Sequence, residues 1–347
     1  MRKNIRSVVV AIVLVLSGCI FAAPFASAQA RIPISIGYQD NPDWLLRVAR
    51  DLKLFERAGL APAYVNFVAG APMIAAAQSK SIDVASLGTV PFLIGLSQGL
   101  DWVMIGINPE GAYIEGLVTR KDSGINTVGD LRGKRIGFFK GSTAHYGLIM
   151  MLRQLGIRRD QVTLLHMQPA EQLTALKNKD IDAAMVWEPW MQRMVYEANA
   201  KIVGTEGDIG IYTHVSGYCV RRDWLRDNRE AAVRFLRALV MAHDAMKKDY
   251  TVGVRALAEA MGINETWAET IYKNAPPPKI HEWANPRYNY SLAKDSALHR
   301  RLGRLGTFLL EENIITKPVD VSKVMDASVI SEVLRMWKGP SSSDQSR

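Results

Sequence analysis

The stretch AAQSKSIDVASLGTVP, residues 76–91, and a second one, ALKNKDIDAAMVWEPW, residues 175–190, decide the architecture of this chain. Laid side by side without a gap, Ala76, Lys80, Ile82, Asp83 and Ala85 coincide with Ala175, Lys179, Ile181, Asp182 and Ala184. Each stretch reads as the end of a helix, a polar turn, a short apolar strand and a second turn before another helix. The correspondence runs backwards: IPISIGYQDNP from Ile32 and GKRIGFFKGST from Gly133 are each a short strand ending in a polar turn. Further strands are expected at 64–67 and 162–165, and helices at 71–79 and 170–178. Each half thus alternates strand and helix three times, which implies an α/β fold whose mainly parallel sheets are covered on both faces.

Ligands of such sheets bind beyond the carboxyl ends of the strands, where helix N-termini point. Six loops should therefore face one another across a cleft: 39–44, 68–72 and 88–91 from one lobe, and 140–145, 167–171 and 187–190 from the other. Beyond residue 223 the pattern turns helical, at 229–248, 252–261, 265–273, 291–312 and 328–337, interrupted by Pro276-Pro277-Pro278. These helices are expected to return to the first lobe. The organisation read from the chain is a signal peptide at 1–28, the first lobe at 29–117 and 219–338, the second at 118–218, and a polar tail at 339–347. Crossings should fall near 115–121 and 216–222, two strand-like stretches followed by basic residues.

The N-terminus reads as an export signal: MRKNIR, an apolar run over 8–16, then Ala26-Ser27-Ala28 with the small residues a signal peptidase requires. Leu16-Ser17-Gly18-Cys19 also fits the lipoprotein pattern, with Cys19 as the lipid carrier. Pro24 and Ala26-x-Ala28 form the better cleavage region, so the soluble periplasmic form is the reading adopted. No later segment reaches the roughly 18 uninterrupted apolar residues of a membrane span. Losing Arg2, Lys3 and Arg6 with the signal lowers the formal charge from +9 to +6, spread without the clustered tracts of a nucleic-acid binder. Cys219 is then the one cysteine left, which excludes an internal disulfide and reads as a small buried residue.

KGSTAHYGLIMML, residues 140–152, crowds Ser142, Thr143 and His145 where a helix begins. The first N–H groups of a helix lack partners and together carry about half a positive charge, so an anion is stabilised there. Two hydroxyls and a ring N–H would add donors at the same mouth. The plainer alternative is that Ser142 or Thr143 is simply the favoured N-cap. Catalytic motifs are missing: there is no G-x-S-x-G, no H-E-x-x-H and no G-x-G-x-x-G, and GDLRGK is one residue short of a phosphate loop. His166, His214, His243, His281 and His299 are scattered without metal-ligand spacing and read as surface or core residues, so neither metal nor cofactor is expected.

GYQ at Gly37, FVAGAP at Phe67, SIDVASLGTVP at Ser81, DLRGKRIG at Asp130, STAHY at Ser142, MQPAEQLTAL at Met167 and DIDAAMVWEPW at Asp180 carry a resemblance. Over roughly 34–220 the chain resembles the periplasmic solute-binding proteins of ABC importers in the taurine, alkanesulfonate and nitrate family, particularly the taurine-type branch. The resemblance implies a type II periplasmic-binding-protein fold. Its two lobes would close on a small anion, most readily a sulfonate, and present it as a monomer to the permease subunits of an importer. Carried over by position, Ser142, Thr143 and His145 would hold sulfonate oxygens, with Thr89 opposite, Gly70 and Ala71 giving backbone N–H groups, and Gln39 reaching in from the first strand. Trp187 would form an apolar wall. Taurine-binding relatives place an aspartate where Ser216 stands, so a ligand amine would need another carboxylate, for which Glu188 is the candidate. Two alternatives share the fold: an enzyme related to the thiamine-pyrimidine synthases, disfavoured by the export signal and the single mature cysteine, and a sensor or interaction protein with a degenerate cleft.

Overall fold

In both copies of the repeat a helix must stop and hand the chain to a strand within five residues, and the same conformations do this twice. Lys80 and Lys179 take left-handed φ values of 60° and 65°. Ile82 and Ile181 then enter the two cores fully buried, and the aspartate that follows each turns back to the neighbouring strand.

The computed structural model describes residues 30–111, 113–210 and 215–337. The first lobe opens with β1 (Ile32–Gln39), α1 (Trp44–Asp51), α2 (Leu54–Arg57), β2 (Leu60–Phe67), α3 (Ala71–Gln78), β3 (Val84–Gly88), α4 (Thr89–Ser97) and β4 (Trp102–Glu110). The second holds β5 (Glu115–Arg120), β6 (Arg135–Phe138), α5 (Thr143–Gln154), β7 (Thr163–His166), α6 (Pro169–Lys177), β8 (Ala183–Trp187), α7 (Trp190–Glu197) and β9 (Ala200–Thr205). The chain returns through β10 (Val215–Arg221) into α8 (Arg222–Asp227), α9 (Arg229–Lys248), α10 (Thr251–Met261), α11 (Glu265–Asn274), α12 (Ala297–Glu311) and α13 (Ser328–Met336).

The two five-stranded sheets have matching orders, β2-β1-β3-β10-β4 and β7-β6-β8-β5-β9. β1 pairs in parallel with β2 and β3, as β6 does with β7 and β8. The fourth strand of each sheet runs antiparallel to both neighbours. That strand is β10 in one sheet and β5 in the other, in each case the first strand laid down after the chain crosses between lobes. Two apolar cores result, and α9 to α13 pack on the first of them. Buried Cys219 sits in β10 as a free thiol.

The helix expected over 291–312 begins only at Ala297. Ser296 caps it, its Oγ accepting from the His299 N–H at 3.1 Å, and Asp295 before it has a φ of 61° that no helix continues through. The signal region with Cys19, His214 and the tail lie outside the described residues.

Gly37 and Gly137 occupy equivalent places on β1 and β6, and a Cβ at either would lie 2.8 Å from the Cδ1 of Ile82 or Ile181. Gly37→Ala should therefore cost about 1–3 kcal/mol of stability by overpacking. Ile82→Val, which removes Cδ1, should recover part of that loss, so that urea denaturation finds the double variant more stable than the sum of the two single changes predicts. Additive effects would show that this contact does not control the packing of the strand.

Candidate functional site

The carboxyl ends of β1 and β3, the start of α3, and the loops after β6 and β8 close around a narrow cavity of about 20 Å³, so a guest larger than water enters only if the lobes move apart. Its first-lobe side is held open by a buried polar scaffold. The Arg47 guanidinium on α1 donates to the carbonyls of Asn41 at 2.9 and 3.1 Å and Gln39 at 3.4 Å, fixing the loop after β1. Asp43 caps α1 by accepting from the Leu46 N–H, and it also accepts from the Ser86 hydroxyl on β3 and the Tyr218 hydroxyl on β10, each at 2.6 Å. Burial raises the Asp43 pKa, against the lowering effect of those donors.

Eight of the ten side chains and backbone positions expected from the sequence line the cleft: Gln39, Gly70 and Ala71 with Ser216 on one side, and Ser142, Thr143, Trp187 and Glu188 on the other. Gly88, at the end of β3, marks how closely the lobes approach. A Cβ there would sit 3.1 Å from Thr143 Cγ2. The hydroxyls are already engaged. Ser142 caps α5 by accepting from the His145 N–H at 3.1 Å and donates to the Phe139 carbonyl at 2.7 Å. Thr143 donates to the carboxylate of Glu115. What α5 brings to the lining in addition is the backbone N–H of Thr143, since Ser142 takes that of His145, and α3 brings those of Gly70 and Ala71, since Pro72 has none and Met73 donates to the Gly70 carbonyl.

Thr89 and His145 do not line this cleft. Thr89 is buried at the start of α4 and borders a separate groove against α5 and α12. His145 lies beneath the mouth with its ring against Phe138, centroids 4.8 Å apart, and its Nδ1 receives the Gly141 N–H at 3.5 Å. Burial, helped by the cationic groups of Arg159 and Lys140 and by His166, lowers its pKa to about 4, so its ring is neutral at pH 7.

Glu115 is the lining residue that the sequence reading missed. It is 1 % exposed, at the start of β5, and pairs in register with Trp187. Its only sequence signal was an acid opening an otherwise apolar strand at the crossing. Glu188 is fully buried and accepts from the Gln192 backbone N–H at 3.2 Å and side-chain amide at 3.3 Å. Burial pushes its pKa up to about 7. Trp187 meets Phe139 edge to face, with centroids 6.5 Å apart. Among the described residues the lining holds two glutamates and neither lysine, arginine nor histidine.

Two duplicated lobes joined by crossing strands, with a cleft at the strand ends, constitute the type II periplasmic-binding-protein fold. The chain belongs to the NMT1/THI5-like family, whose model matches residues 45–249. It is 26% identical over 339 residues, 96% of this chain and 97% of the other, to a Bacillus subtilis protein provisionally named an aliphatic sulfonates-binding protein. The taurine-binding periplasmic protein of Escherichia coli is 26% identical over 64% of this chain and 69% of its own length. Among solved structures, the periplasmic aliphatic sulphonate binding protein SsuA of Escherichia coli superposes with a TM-score of 0.72 at 22% identity, covering 86% of this chain and 99% of that one.

Glu188 and His145 load the pH dependence of stability in opposite senses. A carboxyl whose folded pKa is raised from 4.5 to about 7 contributes its stability in full below about pH 4.5, and that contribution is lost as pH rises towards 7. An imidazole lowered from 6.5 to about 4 contributes in full above 6.5 and is lost as pH falls. Glu188→Gln should therefore remove, between pH 5 and pH 8, a loss of stability of about 2–3 kcal/mol that the parent carries. Parallel urea-denaturation profiles for the two proteins would show that Glu188 carries no such penalty.

Proposed function

We propose that this chain is an exported receptor that takes a small sulfonate bearing an amine, a taurine-like zwitterion, between its lobes and delivers it to an ABC importer. The observation that carries the reading is the pairing, in one cleft, of the first turns of α3 and α5 with the buried carboxylate of Glu115. A sulfonate stays ionised at physiological pH, so fixed backbone dipoles at helix starts can hold it without arginine. An ammonium group removed from water needs an opposite charge, and Glu115 stands ready to provide one where Ser216 brings only a hydroxyl. Trp187 and Phe139 give the short carbon chain an apolar wall.

Capture by closure is supported by contacts between the lobes at places remote in sequence. Tyr196 on α7 and Trp267 on α11 stack at 3.8 Å with 9° between their planes. Arg159 reaches Glu312 across from the second lobe at 3.0 Å. Both contacts join side chains at the surface, which can separate without opening either core. An enzyme on this fold is the weaker reading because the lining, among the described residues, provides no cysteine, lysine or histidine as nucleophile or base, and burial pushes the Cys219 thiol pKa well up. One second reading has a specific observation in its favour: a cleft with two glutamates and, among the described residues, no cationic side chain would also suit an amine that lacks a sulfonate.

Titration calorimetry of the mature protein with taurine, ethanesulfonate and ethanolamine separates these readings. Taurine should bind at least about tenfold more tightly than either partial analogue, about 1.4 kcal/mol. Glu115→Gln should erase its advantage over ethanesulfonate while leaving ethanesulfonate binding in place. Equal or tighter binding of ethanesulfonate would remove the amine from the reading, preferential binding of ethanolamine would favour the second one, and heat from none of the three would reject both.

A further inference from the structure

The Pro276-Pro277-Pro278 break returns the chain towards α9, and the short turn Ile280–Glu282 packs against that helix. Three donor side chains meet there. Asp244 on α9 places Oδ1 3.3 Å from His243 Nδ1 and 3.0 Å from His281 Nε2, although His281 lies 37 residues further along the chain. The two imidazole rings stand 5.1 Å apart at 73°, and one donor atom from each of the three residues falls within 4.8 Å of the others. The second carboxylate oxygen of Asp244 accepts from the Trp337 indole N–H at 3.1 Å, just beyond α13.

We propose that His243, Asp244 and His281 form a binding site for a divalent transition-metal ion, zinc foremost, on the helical side of the first lobe. Two imidazoles and a carboxylate are a donor set that zinc takes with a solvent molecule in fourth position. Bonds of about 2.0–2.2 Å in a tetrahedron put neighbouring donor atoms roughly 3.4 Å apart. The two distances to Asp244 Oδ1 already approach that value, and all three donor atoms lie within 4.8 Å of one another, so movement of the imidazole rings is what occupancy asks for. The Trp337 N–H supplies the outer hydrogen bond that fixes a ligating carboxylate. The His281 side chain, 38 % exposed, leaves an entry path. None of the three residues lines the ligand cleft. An ion here would clamp α9 to the turn after the proline run and, through Trp337, to the end of α13.

The test is zinc titration by calorimetry on the full mature chain, prepared without a histidine tag and stripped with chelator, alongside cobalt absorption spectra. One ion per chain with a dissociation constant on the order of micromolar or tighter is expected, with a higher melting temperature and the visible bands of tetrahedral cobalt. His281→Ala, at a half-exposed position, and Asp244→Asn, which keeps the Trp337 hydrogen bond, should each weaken zinc by at least about tenfold while the metal-free proteins melt as cooperatively as the parent. No saturable zinc binding below about 100 μM, or binding that both variants retain, would overturn the proposal and leave a hydrogen-bonded cluster around one carboxylate.

Discussion

The architecture depends on an aspartate that clamps one parallel strand to the next. Asp83 donates its N–H to the Ser35 carbonyl at 2.8 Å, and its carboxylate accepts from the N–H and the hydroxyl of Ser35, each at 2.8 Å. Asp182 repeats this with Arg135, whose carbonyl and N–H it meets at 2.9 Å each. Parallel neighbours have no tight turn to set their register, so a side chain that reads the adjacent backbone supplies what a hairpin would. The crossing strands lock onto the same point. Arg221, at the end of β10, donates to the Ile82 carbonyl at 2.7 Å and lies 3.9 Å from Asp83. Arg120, at the end of β5, donates to the Ile181 carbonyl and lies 3.3 Å from Asp182. One Ile-Asp step in each lobe therefore aligns three strands, and alignment at their near ends fixes where their far ends open into the cleft.

From that common frame the lobes diverge at the rim of the cleft. Gly88 and Trp187 are equivalent strand ends, as are Thr89 and Glu188 one residue later. The glycine lets the second lobe come within contact of the β3 backbone, whereas the tryptophan projects a wall across the opening. A duplicated scaffold thus gives one bare rim and one furnished rim. The polar support beneath them is also unequal: Asp43 with Ser86 and Tyr218 ties the first lobe's loop to two strands, while the second lobe relies on the Ser142 cap and the bond from Thr143 to Glu115.

The repeat made the strand ends legible, because period and spacing alone place residues 39, 70, 71, 142, 143, 187 and 188 at one end of their sheets. Direction of hydrogen bonding was not legible. A serine before a helix reads the same whether its hydroxyl faces a ligand or, like Ser142, a carbonyl three residues back. His145 belongs to the first turn, yet Phe138 offers its ring an apolar surface below the mouth and the ring takes it. Glu115 lay on a crossing strand whose internal copy, facing Gly88 as Glu115 faces Trp187, carries Ser216 at that place, so the repeat gave no signal of an acid there. The meeting of His243 with His281 depends on how a proline-broken segment folds back, which sequence spacing does not encode.

The electrostatics of the cleft bear on selection more than on strength. A purely anionic guest would gain from the helix starts but would also be brought beside Glu115 and Glu188, and the enclosed, poorly hydrated space magnifies both effects. Glu188, with its pKa near 7, can relieve part of this by holding a proton. An ammonium on the guest relieves it without protonation and turns the carboxylates into attractive groups. Under the proposed function the same two residues would penalise a simple anion and favour a zwitterion, so discrimination would arise from a cost imposed on the wrong ligand as well as from contacts offered to the right one.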